Sequence, residues 1–213
     1  MTSSPRSSRT LSVAGGAVLL VALGLVALML AGRSSGGSAT PPAAPAETSA
    51  DVGFARDMSV HHQQAVEMSF IVRDRTSDME VRRLAYDIIN TQANQRGMML
   101  GWLEMWGRPK SSGAPPMAWM GHTFTPRGDG SLMPGMATDT ELDALQKAEG
   151  RDAEVLYLKL MTAHHRSGAE MARAAADAAG TEEIKNLAAG MVRGQQSEIG
   201  LMADMLKERG ATA

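Results

Sequence analysis

The sequence predicts an all-α protein: a four-helix bundle built from two repeated helical hairpins, preceded by one transmembrane or signal helix. Three observations carry that expectation. Aromatic residues make up 4% of the 213, whereas methionine alone numbers 17, a balance that suits helices better than strands. Sliding the chain against itself by 103 residues places Met58 on Met161, His61 on His164, His62 on His165, Glu67 on Glu170 and Met68 on Met171. The register continues without a gap through Asp74 and Asp177, Leu84 and Leu187, Gln92 and Gln195, and Met99 and Met202. One unbroken offset of that length marks an internal duplication. Within each copy the apolar residues recur at three- and four-residue steps, the period of a helix with one buried face.

Taken in order, the elements begin with a membrane segment. Arg6 and Arg9 precede an uncharged run from Leu11 to Ala31, closed by Arg33. At about 1.5 Å per residue that run just spans a hydrocarbon core of roughly 30 Å. Residues 1–33 therefore read as an uncleaved anchor, or as a signal segment cleaved between Gly37 and Ala46; the length of the apolar run favours the anchor. In both cases the basic end stays in the cytoplasm and the remainder lies outside it, as a single-pass membrane protein or a secreted or periplasmic one. Residues 34–50, Gly/Ser-rich and then Pro/Ala-rich, read as a linker. The bundle domain follows over 51–210.

Repeat one covers 51–107. Phe54, Met58, His61, His62, Ala65, Met68 and Val72 mark the buried face of its first helix, and Ser77 or Asp78 caps the next. Val81, Leu84, Ala85, Ile88, Gln92, Gln95, Met99, Leu103 and Trp106 continue a second stripe, ended by Gly107 and Pro109. A methionine-rich connector, 108–150, holds MAWMGH and SLMPGM, and its TDTELDAL carries a capping-type start for a short helix. Repeat two, 151–210, repeats the hairpin, with Gly180 ending its first helix and Thr181 capping its second.

The chemistry is concentrated in the histidine pairs. On a helix Met58, His61, His62, Ala65 and Met68 fall within an arc of roughly 120° and face the interior; Glu67 falls at the flank. In a hairpin closing near 76–78, His61 and His62 stand opposite Gln92 to Gln95, and His164 and His165 opposite Gln195 to Glu198. An unpaired buried polar group costs about 1–3 kcal/mol, so polar residues at one level in both halves need partners. A bound cation is one candidate partner, and imidazole–Gln/Glu hydrogen bonding is the other. The candidate metal ligands are His61, His62, His164, His165, Met58, Met161, Met68, Met171 and Glu198. Thioether with imidazole suits copper, the cuprous ion above all, with iron or zinc as alternatives. Met117, Met120, His122, Met133 and Met136 in the connector either capture a soft ion or form an apolar lid.

Other classes are excluded or unsupported. The chain has no cysteine, which removes disulfides, thiolate metal sites and a cysteine nucleophile. A net charge of −2 gives no reason to expect a nucleic-acid partner. No HExxH zinc-protease step occurs, and the Glu-x-x-His step of di-iron bundles is missing.

At DMSVHHQQAVEM and LMTAHHRSGAEMA, and in QxxEIxxM as Gln195, Glu198, Ile199 and Met202, the chain closely resembles the domain of unknown function 305 family over about residues 51–209. The resemblance implies an extracytoplasmic bacterial protein with a ferritin-like four-helix architecture and an HH motif in each hairpin. Some relatives are periplasmic copper-binding proteins connected with copper resistance. It therefore implies copper binding or sequestration, a binder and not a catalyst. The first copy departs from QxxEIxxM to Gln92, Gln95, Arg96 and Met99, which predicts that the two halves bind unequally. The rival readings are a ferritin-like iron oxidase using Glu67, Glu170 and Glu198, and a structural or partner-binding domain of the envelope without metal.

Overall fold

The computed structural model describes residues 43–122 and 124–212. The expected membrane or signal helix over 1–33, with most of the linker, lies outside the described residues. Within them are five α-helices and no strand: α1 (Ala50–Arg75), α2 (Met79–Met105), α3 (Asp139–Lys147), α4 (Gly150–Ala178) and α5 (Glu182–Glu208). No helix among the described residues is long and apolar enough to cross a membrane.

The starts of these helices follow from their sequence. Ser49, Asp78 and Thr181 stand at the N-caps of α1, α2 and α5, each accepting backbone N–H groups that the first turn leaves unpaired. Thr138 and Glu141 form a reciprocal capping box on α3. After α2 the chain turns through Gly107 at a φ of 64°, a left-handed conformation that glycine adopts without a Cβ clash.

Helix α1 packs on α2, α4 on α5, and the two hairpins meet through α1 and α4, whereas α2 and α5 barely touch. The order across the bundle is therefore α2, α1, α4, α5. About half the residues of α1 and of α4 are buried, against about a quarter of α2 and of α5. A central helix needs a wide apolar face and a flanking one only a stripe, so the broader pattern in α1 and α4 selects them as the core pair.

The hairpins are also tied end to end. Asp51, at the start of α1, accepts hydrogen bonds from Gly180 N at 2.9 Å, Thr181 N at 2.8 Å and Thr181 Oγ1 at 2.6 Å, in the turn of the second hairpin. Its counterpart by the 103-residue offset, Glu154, accepts from Thr76 Oγ1 at 2.5 Å in the turn of the first hairpin, and from Arg209 Nε at 2.7 Å. Burial pushes the Asp51 carboxyl up, but the bonds from Thr181 and Gly180 outweigh that and hold it below its ordinary value.

The connector lies on the bundle as an apolar lid. Met117, Met133 and Met136 are buried in the same apolar cluster as Met58, Met99 and Met171, while His122 is exposed. Asp57 holds one end, accepting from Met117 N at 2.7 Å and Trp119 Nε1 at 2.9 Å. Gln64 holds the other, donating to Ala137 O at 2.9 Å and accepting from Ala137 N at 2.7 Å.

Candidate metal centre

Each long helix changes character at one level. The apolar core divides into two clusters, one holding Val52 to Met58, Met99, Leu103, Met171 to Ala179 and Ile184 to Met191. The other holds Ala65 to Val72, Val81 to Ile88, Tyr157 to Met161 and Met202 to Leu206. Between them stand His61 and His62 on α1, His164 and His165 on α4, Gln92 and Gln95 on α2, and Gln195 and Glu198 on α5. All four histidines are at most 1% exposed. Met58 and Met171 flank the layer on one side, and Met68 and Met161 on the other. That crossing is what two copies in antiparallel contact produce: the methionine before one pair meets the level of the methionine after the other.

The rings lie close together. His61 and His164 have centroids 3.7 Å apart and planes inclined by 33°, and His164 and His165 have centroids 6.2 Å apart. Three of them donate from Nε2 to an oxygen: His62 to Gln95 Oε1 at 2.8 Å, His164 to His61 O at 3.0 Å and His165 to Glu198 Oε2 at 2.7 Å. An amide or carbonyl oxygen carries no proton, so in His62 and His164 Nε2 supplies the N–H and Nδ1 holds the lone pair. The Nδ1 atoms of all four histidines, and His61 Nε2, are buried without a hydrogen-bond partner. Burial, and then the neighbouring imidazoles, keep His61 and His164 neutral, well below the usual histidine range, and burial brings His62 down to about 4. Buried imidazoles held neutral at His61, His62 and His164, with nitrogens that lack a partner, are a donor set for a soft or borderline cation.

The hydrogen-bond partners are Gln95 and Glu198. Gln92 and Gln195, equally plausible from the sequence, point an unpaired Oε1 into the interior. Gly168 makes the room for one of them: a Cβ there would stand 2.5 Å from Gln195 Oε1 and 3.1 Å from His61 Cε1. Sequence reasoning missed Gly168. Its signal was a glycine inside a buried helical face, where alanine favours the helix by up to about 1 kcal/mol and where the first copy has Ala65.

The remaining candidates divide plainly. Glu67 and Glu170 are exposed, so of the three carboxylates of the iron-oxidase reading only Glu198 reaches the layer. Among the described residues no three His, Asp or Glu side chains surround one point. The donors suit an ion that accepts few ligands and takes thioether among them. Hard cations, which demand six or more oxygens, do not fit.

Solved structures share the fold. A putative secreted protein from Streptomyces coelicolor is 61% identical, covering 78% of this chain and 98% of that one, with a TM-score of 0.73. A fragment from Deinococcus radiodurans is 31% identical over 79% and 99%, with a TM-score of 0.62. CopM in its Cu(I)-bound form is 23% identical over 74% and 96%, with a TM-score of 0.57, a likeness of fold alone. No curated protein matches the chain. Both bacterial structures carry the name DUF305, and the model described as Domain of unknown function (DUF305) matches residues 51–206: the chain belongs to that family.

Proposed function

We propose that this protein binds a soft metal ion, copper in its cuprous state first, and holds or passes it on outside the cytoplasm, tethered or exported through residues 1–33. The observation that carries the reading is the layer of four buried imidazoles whose Nδ1 atoms have no partner, set between four methionines. An unsatisfied nitrogen in a dry core costs about 1–3 kcal/mol, and a metal ion would use several at once. CopM, a relative in fold, was solved with Cu(I), Cu(II) and silver, which supports the choice of ion. In this reading His61, His62, His164 and His165 supply nitrogen, Met58, Met68, Met161 and Met171 supply candidate sulfur, and Glu198 orients His165. The ferritin-like architecture and the role in copper homeostasis or resistance belong to the same proposal.

Untagged protein titrated with cuprous ion against a competing chelator is expected to take up the ion. Replacing His61, His62, His164 and His165 by glutamine, with helical content checked by circular dichroism, is expected to lower affinity at least a hundredfold. Pairwise variants, His61 with His62 and His164 with His165, give the answer if the fourfold variant does not fold. Unchanged stoichiometry and affinity in folded variants refutes the assignment. The bonds from His62 to Gln95 and from His165 to Glu198 favour one second reading, a metal-free polar layer that fixes hairpin register. A wild-type protein that binds no first-row ion and no silver supports it.

A further inference from the structure

The start of α2 and the end of α5 line a groove of about 460 Å³. Its walls carry Glu80, Asp87, Glu198, Asp204 and Glu208, against a single cation, Arg83. Leu84 and Met205 line it deeper in. Glu198 is the link inward: its side chain is 25% exposed, and its Oε2 lies 2.7 Å from Nε2 of His165, which is wholly buried and whose Nδ1 has no partner. The acidic surface thus ends on the Nε2 side of a buried imidazole, whose unpartnered Nδ1 turns away from Glu198 toward the layer.

The duplication supplies an internal control. Under the 103-residue offset the five carboxylates correspond to Glu183, Gly190, Gln95, Gly101 and Met105, and Arg83 to Asn186. One carboxylate remains of five. Both halves keep the histidine pair and the methionine frame, so the layer is two-sided while the acidic approach is one-sided. Had the carboxylates served only to solvate a helix face, both copies would be expected to keep them.

Resting on the metal-binding reading above, we propose that this groove is the entrance to the histidine layer, a one-sided electrostatic funnel that gathers a cation and delivers it past Glu198 to the unpartnered nitrogens of the layer. A cleft lined by one sign of charge concentrates counter-ions and raises their association rate by a factor of 10 or more. The counterpart face, with Gln95 in place of Glu198, lacks those charges. Glu198 then has two tasks: it orients His165, and it is the last carboxylate an incoming ion meets.

The test separates rate from equilibrium. The full-length protein is mixed with silver nitrate in chloride-free buffer, the reaction is stopped at short times with excess chelator, and the silver retained is counted. Removing the outer charges with D87N, D204N and E208Q is expected to slow uptake about three- to tenfold and to flatten its dependence on ionic strength between about 10 and 150 mM. The final silver count is expected to stay that of the wild type, because none of these three residues touches a histidine. E183Q, which removes the one carboxylate found at the five corresponding positions of the opposite side, is expected to leave the rate unchanged. A triple variant as fast and as salt-dependent as the wild type overturns the funnel while leaving metal binding standing. A wild type that retains no silver overturns metal binding itself, and the funnel with it.

Discussion

At the scale of the residue, the decisive feature is which nitrogen of each imidazole is free. His62, His164 and His165 all engage an oxygen through Nε2, so Nδ1 is the nitrogen each leaves without a partner. That these four side chains are buried together was legible in the sequence, because HH stands twice on an apolar face. Which glutamine pairs with which histidine was not, since Gln92 and Gln95 differ by less than one helical turn and both face inward. Burial carries a pH signature. His62 is held at about 4 in the native protein and takes an ordinary value near 6.5 when unfolded. Between those values the unfolded chain binds a proton that the native one refuses, so stability is lost as pH falls through that window. The loss from His62 alone is roughly 2 kcal/mol between pH 7 and pH 5, where carboxylates have barely begun to titrate. Urea midpoints of the apoprotein at those two values check it, and equal midpoints would mean that the histidines are not held neutral.

At the scale of the element, the helices were readable because caps and periodicity are local. Asp78, Thr138 and Thr181 each sit where a capping residue precedes an apolar stripe. What pins one hairpin to the other is not local. Asp51 and Glu154 lie 130 and 78 residues from the threonines they hold, Thr181 and Thr76, and nothing in either's own neighbourhood announces it. The offset was the available signal, because both residues are acidic and fall in register at the start of the first helix of their copies. Each clamp joins a helix start to the opposite turn, so cutting either one frees a turn that also begins a flanking helix. Asp51→Ala removes three bonds and leaves the backbone N–H groups of Gly180 and Thr181 without their acceptor, at an expected cost of about 2–3 kcal/mol. Glu154→Ala is expected to cost a similar amount by freeing Thr76 and weakening the hold on Arg209, which keeps its pairing with Asp78 at 3.0 Å. Chemical denaturation measures both. A loss below about 0.5 kcal/mol in either would show that the turns stand without the clamp.

At the scale of the whole molecule, duplication explains the symmetry of the core, and the connector and the acidic groove explain where that symmetry ends. Two antiparallel copies place one histidine layer between two methionine-lined clusters. The connector meets them unequally: its three buried methionines all join the cluster of Met58 and Met171, and only Ala137 and Leu145 join the other. It is anchored through Asp57 and Gln64, whose offset partners are Leu160 and Ser167. The sequence left open whether Met117, Met133 and Met136 catch an ion or seal the core, because both tasks favour a flexible apolar side chain with sulfur. Their burial in the same cluster as Met58 and Met171 makes sealing the task their positions perform. Leucine tests this, because it keeps nearly the volume of methionine and loses the sulfur, at a usual cost below about 1.5 kcal/mol per site. In the variant M117L, M133L and M136L, the melting temperature is expected to fall by no more than about 10–15 °C and the number of cuprous ions bound to stay that of the wild type. A lid that seals needs volume and not thioether. A drop in the ion count with the fold intact would move these three methionines from the lid into the ligand set, and the histidine layer would then be one part of a larger site.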